Sequence, residues 1–146
     1  MNTGHDGSMS TIHANRAREA FIRLENMVAM SGFDLPSEIV RAQIAGAVNM
    51  IVQTERLHDG TRKITEIVEV TGISERGDIQ YQHLFKFVPI GESEDHRVIG
   101  RFEAKVEQPA FLDKAITYGL DKELLNVMRS AIEKNGGESN DDSDSY

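Results

Sequence analysis

The sequence predicts an α/β fold, a mixed sheet with flanking helices followed by a C-terminal helical region. Three features point to it. Apolar residues recur at helical spacing in two successive segments near the start, two extended apolar runs meet across an Asp-Gly pair, and Pro109 opens a final stretch that returns to helical spacing. A length of 146 residues suits one domain with its own core.

Residues 2–14 read NTGHDGSMSTIHA, a glycine-punctuated turn from Gly4 to Gly7 and then a run, 8–13, whose small and β-branched residues suit a short strand. Asn15 is suited to cap a helix in which Ala17, Phe21, Leu24 and Val28 form the apolar stripe and Gly32 marks the stop. Pro36 fits a first helical position, and Ile39, Val40, Ile44, Ala47 and Val48 form the stripe of a second helix. Two antiparallel strands are expected at 50–57 and 62–70, joined by His58-Asp59-Gly60-Thr61, because Asp-Gly is a strong hairpin signal. Residues 79–88 read as strand or short helix, with Tyr81, Leu84, Phe85 and Phe87 in the core either way. A charged loop is expected at 89–96 and a last strand at 97–106, before Gly119 divides the helical region that starts at Pro109. From Gly136 onward GGESNDDSDSY has no apolar period, so the domain is placed at 1–135 and a disordered acidic tail at 136–146.

A net charge of −8 repels phosphate backbones, and nucleic acid is not an expected partner. The absence of Cys removes disulfides, thiolate metal sites and Cys nucleophiles together and fits a reducing compartment. No apolar run approaches the roughly 18 residues of a spanning helix, and the first residues lack the pattern of a secretory signal, so a cytoplasmic location is expected. Lys63, Lys86, Lys105, Lys114, Lys122 and Lys134 are each followed by a residue other than Ser or Thr, which excludes a Walker A phosphate loop. No GxGxxG occurs among the 12 Gly, and no GxSxG nucleophile signature is present.

The best candidates for chemistry are His5 and His13, with the glycine turn between them. Backbone N–H groups of such a turn can converge on an anion, and an imidazole can donate to a phosphoryl oxygen or transfer a proton near neutral pH. An ordinary turn with a hydrogen-bonded His13 explains the same residues. His5, Asp6, His13, His58, Asp59, His83 and His96 offer metal ligands but show no HExxH or similar spacing, so no metal site is expected. Arg56 and Arg62 flank the expected hairpin turn and Arg23 lies on the first helix, where guanidinium groups can clamp a phosphate or carboxylate bidentately. A solvated hairpin rim is the plainer reading of the first two. Met27 and Met30 read as core filler.

TGHDGSMSTIHAN, residues 3–15, resembles the histidine box of the type II/type IV secretion ATPase superfamily, most closely its tight-adherence (Flp) pilus assembly branch, the CpaF-like ATPases. The likeness continues through ARxxxxRLENMVxMSGxDLPSEIVRxQIAxAVxxIVQ and RLxDGTRKITEIVEVTG to QHLFKFV and GRF, so it runs from about Asn2 to about Met128 and leaves out the tail.

The resemblance implies the C-terminal half of a RecA-like P-loop ATPase core, in a family that assembles as hexamers, binds ATP and Mg²⁺ near subunit boundaries and powers pilus assembly or protein secretion at the inner face of the inner membrane. His5 and His13 correspond to the two histidines of the box, with a phosphate-sensing role, and Gly4, Gly7, Arg23, Arg56 and Arg62 fall in the nucleotide vicinity. In complete family members the Walker A, acidic Asp box and Walker B segments precede the box, and this chain starts just before it. Phosphoryl transfer depends on a Lys-bearing cradle and carboxylate-held Mg²⁺, so the chain alone is expected neither to bind ATP and Mg²⁺ tightly nor to hydrolyse ATP. Expected partners are further copies of the chain, a Walker-containing ATPase half, or inner-membrane secretion or pilus components. The alternative is a non-catalytic interaction module that docks on a secretion ATPase. Without the preceding half, exposed apolar surface, marginal stability and self-association are expected.

Overall fold

The structure is a computed structural model that describes residues 7–32 and 34–136. Its elements are α1 (Ala17–Met30), α2 (Ser37–Ala47), β1 (Met50–Arg56), β2 (Arg62–Ile73), β3 (Ile79–Glu92), β4 (Val98–Ala104), α3 (Leu112–Thr117) and α4 (Asp121–Gly136). The strands form one sheet in the order β1-β2-β3-β4, antiparallel at every pairing. This is the expected α/β class, with flanking helices and a C-terminal helical region, and it is compatible with part of an ATPase domain.

Strand alternation puts helices on both faces of the sheet. Val70 joins Ile51, Ile79 and Tyr81 in packing against Phe21 of α1 and Val40 and Ile44 of α2, and its neighbour Glu69 points the other way to meet the residues that precede α3. Burying a side chain the size of Phe21, 4% exposed, contributes about 1.5–3 kcal/mol. Arg41 of α2 binds Glu25 of α1 at 3.0 Å and Asp78 of the β2–β3 turn at 3.1 Å, which ties this helix pair to the sheet. Val68, Leu84, Val98, Ala115 and Met128 are further buried apolar residues around the sheet and the C-terminal helices.

All three hairpins turn in the same way. The first residue of each turn donates its N–H to the carbonyl of the fifth and accepts from the N–H of the fourth, in 57–61, 74–78 and 93–97. The fourth residue takes positive φ in each, Gly60 at 81°, Gly77 at 80° and His96 at 57°. The Asp-Gly signal was therefore a sound guide to the first hairpin, and the third places a β-carbon where glycine is preferred.

Several expectations need correction. Residues 8–13 form no strand, because their carbonyls and amides make no ladder with β1 among the described residues. Asn15 does not cap α1 through its side chain; its backbone N–H donates instead to Glu19 Oε2 at 3.1 Å. Residues 79–88 are strand, and the loop expected at 89–96 shrinks to the 93–97 turn because β3 continues to Glu92. Pro89 is tolerated there because β2 stops pairing at Lys86, leaving β3 an open edge at which a missing N–H costs no ladder bond. The tail expected from Gly136 lies, beyond Gly136 itself, outside the described residues.

Candidate functional site

Residues 13–15 are held by three bonds to their backbone groups. Arg23 Nη1 donates to the His13 carbonyl at 2.6 Å, Gln53 Nε2 donates to the Ala14 carbonyl at 2.8 Å, and Glu19 accepts from Asn15. The His13 side chain is exposed, and among the described residues its imidazole makes no hydrogen bond or ion pair. A fixed backbone carrying an open ring is an arrangement able to meet a ligand from outside. Gly7 adopts φ of 97° with open space where a β-carbon would sit, so the end of the glycine turn uses a conformation that glycine adopts freely. Gly4 and His5 lie outside the described residues.

Arg56 and Arg62 face each other across the β1–β2 ladder beside the first turn, both exposed. The Arg56 guanidinium leans over Gly60, whose β-carbon would sit 3.7 Å from Nη2. Like charges directly opposite are unfavourable, and among the described residues neither arginine has an ion pair to offset the repulsion. The structure thus brings Arg23 to His13, through the His13 carbonyl, while no hydrogen bond or ion pair joins either to Arg56 or Arg62.

The first and third hairpin turns are clasped together. Asp59 Oδ1 accepts from the Thr61 N–H and hydroxyl, Asp59 Oδ2 accepts from the Val98 N–H at 2.7 Å, and His58 Nε2 lies 2.8 Å from Glu92 Oε1. The Thr61 hydroxyl bond, with the Val98 N–H, draws the Asp59 carboxyl down to about 2. Beside this clasp lies an open cleft of about 500 Å³ lined by both signs of charge, Arg16 and Lys86 against Glu55 and Glu66. Thr65 Oγ1 at its wall is buried without a hydrogen-bond partner among the described residues. On β3, burial and the Lys86 ammonium, with Lys105 adding, hold the His83 imidazole below its ordinary 6.5 against the pull of Glu66.

Among the described residues no group of three or more His, Asp or Glu side chains is placed to hold a metal ion. The exposed imidazole of His13 and the exposed guanidinium groups of Arg56 and Arg62 are of the kind that can donate to a phosphate. Two important residues escaped the sequence reading. Gln53, 8% exposed, and Glu69, 3% exposed, are the buried polar residues of the sheet. The signal available for both was a polar residue inside an apolar strand run, in MIVQTER and in EIVEV.

A Gly- and His-bearing segment pinned at one end of a four-stranded meander, with helices on both faces, defines this as part of an α/β domain whose open side chains face outward. The type II/IV secretion system protein family matches residues 1–102, well over half of the chain, and the chain belongs to that family. That range contains the sheet as far as Phe102 of β4, and 103–128 lie outside it. The chain is 39% identical over 71 residues to the conjugal transfer protein TrbB of Rhizobium radiobacter, covering 49% of this chain and 20% of the relative. It is 38% identical over 69 residues to the type IV secretion system protein VirB11 of Bartonella quintana, covering 46% and 19%. A putative conjugal transfer protein of Mycobacterium tuberculosis is 36% identical over 67 residues, covering 46% and 18%. The chain thus spans about a fifth of the length of these curated relatives. Among the described residues no helix is long and apolar enough to cross a membrane.

Proposed function

We propose that the chain is the sensor-bearing C-terminal part of a secretion ATPase of the CpaF-like pilus assembly kind, acting in the cytoplasm at the inner face of the inner membrane. The observation that carries the reading is His13, pinned through backbone bonds and open at its ring, within a segment that belongs to the secretion family. ATP and Mg²⁺ would be held by a Walker-containing half, in an oligomer that is hexameric in the family. His5 and His13 would meet the phosphates, with Gly4, Gly7, Arg23, Arg56 and Arg62 in the nucleotide vicinity. A histidine that bonds triphosphate and diphosphate differently shifts a conformational equilibrium, which is what a sensor requires.

Calorimetry with Mg²⁺ and ATP or ADP tests this on the chain alone and after mixing with a Walker-containing family polypeptide. Binding is expected only on mixing and is weakened by His13→Ala. ATP turnover by the chain alone that survives His5→Ala and His13→Ala would sink the reading. The second reading, a module that docks on a secretion ATPase without catalysis, is favoured by Ile116, Tyr118, Leu120 and Val127, each more than half exposed on or between α3 and α4. Nucleotide-independent binding to the same polypeptide would support it.

A further inference from the structure

We propose that Gln53 and Arg23 are positioning residues that fix the His13 segment to the sheet and to α1, an inference that takes its functional meaning from the phosphate-facing reading of His13. Residues 8–14 make no backbone-to-backbone hydrogen bond among the described residues, so neither helix nor ladder holds them. Two successive carbonyls are instead tied to different elements: His13 to Arg23 of α1 at 2.6 Å, and Ala14 to Gln53 of β1 at 2.8 Å. Ala14 and Gln53 are 39 residues apart in the chain, so this tether joins the segment to tertiary structure.

The two tethers differ in strength for a physical reason. Gln53 is buried, its amide has little access to water, and the carbonyl of Ala14 is its partner. Arg23 is exposed and its guanidinium can exchange the His13 carbonyl for solvent, although the bond carries its charge. Gln53 is therefore the dominant anchor and Arg23 the secondary one. A pull on the ring of His13 reaches β1 through Gln53 and α1 through Arg23, and a shift of either element moves the ring.

The absence of cysteine makes the test direct, because Ser10→Cys, at an exposed position, carries a single nitroxide on the full chain. Spin-resonance spectra recorded below the unfolding temperature report how firmly the segment is held. Gln53→Leu and Gln53→Glu, which remove the donor, are expected to lower the ratio of immobile to mobile label about fivefold, the factor for losing one hydrogen bond. Arg23→Ala lowers it less, and Arg23→Lys restores part of the loss. A purely structural role would lower the unfolding temperature and leave the label's mobility in the folded chain unchanged, and that result overturns the proposal. Should Gln53→Leu fail to fold, Arg23→Ala at its exposed site decides, since an unchanged spectrum there overturns the proposal as well. No nucleotide is present, so a freed label supports the positioning role even if calorimetry shows no effect of His13→Ala.

Discussion

Glu69 offers the sharpest energetic test, because two opposite expectations attach to a carboxylate only 3% exposed. Taken as a buried charge it is a liability, and an apolar residue of similar volume would be neutral or stabilising. Its hydrogen bonds say otherwise. Glu69 Oε2 accepts from Gln82 Nε2 at 2.9 Å and from the Ala110 N–H at 2.8 Å, and Oε1 accepts from the Phe111 N–H at 2.7 Å. These bonds hold the turn that launches α3, so removing them both orphans donors and loosens the C-terminal helices. Ala110 is exposed and Phe111 half-buried, so water partly replaces the lost acceptor, and about 1 kcal/mol per bond is the appropriate end of the range. Glu69→Leu should then cost about 3 kcal/mol, or about 9 °C in a chain of this size. Glu69→Gln keeps one acceptor oxygen but turns an N–H₂ toward donors, and should lose about half as much. Thermal unfolding followed by circular dichroism at neutral pH measures both, and hydrogen exchange at Phe111 reports whether the loss is local. An unfolding temperature unchanged or raised in Glu69→Leu would refute the argument and show that desolvation of the charge outweighs its three bonds.

Three further outcomes follow from the geometry. A β-carbon at Gly100 would lie 2.3 Å from the Phe87 ring and 2.6 Å from the Val88 carbonyl oxygen, so Gly100→Ala should destabilise by about 2 kcal/mol in chemical unfolding, and Phe87→Leu should recover only part because the carbonyl remains. His96 sits 91% exposed at φ of 57°, and His96→Gly should raise stability by about 0.5 kcal/mol once the greater freedom of unfolded glycine is subtracted, read from the midpoint of urea unfolding. The Asp59 carboxyl is held at about 2, below its ordinary 3.8, so its contribution is complete above about pH 4–5 and is lost as pH falls toward 2. Asp59→Asn should therefore be less stable at pH 7 and show a flatter decline over that acid range, and an unchanged slope would mean that the clasp to Val98 does not form in solution.

What was legible in the sequence was whatever depends on near neighbours. The helical stripes of Phe21 and Leu24 and of Val40 and Ile44, the stop at Gly32 and the turn at Asp59-Gly60 all arise from contacts within a few residues, and each element lies close to where those signals put it. The strand expected at 8–13 failed although β1 is an edge strand, because β-propensity records how well a residue fits a pleated surface and not whether its backbone runs in register with a neighbour. The shortening of the 89–96 loop was hidden for the related reason that Pro89 is acceptable only once β2 has stopped pairing, a fact about another strand.

The candidate site divides along the same line. His13, Arg23 and the glycine-rich run stand out in the sequence because chemistry-bearing residues cluster there, but the two buried polar anchors of the sheet do not, since Gln53 meets Ala14 across 39 residues and Glu69 meets Ala110 across 41. Both anchors are long polar side chains inside apolar strands, where an unpartnered amide or carboxylate would carry a desolvation cost. That cost is the reason such positions point to tertiary partners: a strand that accepts a Gln or Glu in its buried row must find it hydrogen bonds elsewhere in the fold. In this chain those partners include backbone groups of two segments without ladders, the lead into α1 and the lead into α3, with the Gln82 side chain a further donor to Glu69. The sheet thus holds two segments outside its ladders through one buried polar side chain each, and the segment that carries His13 is one of them.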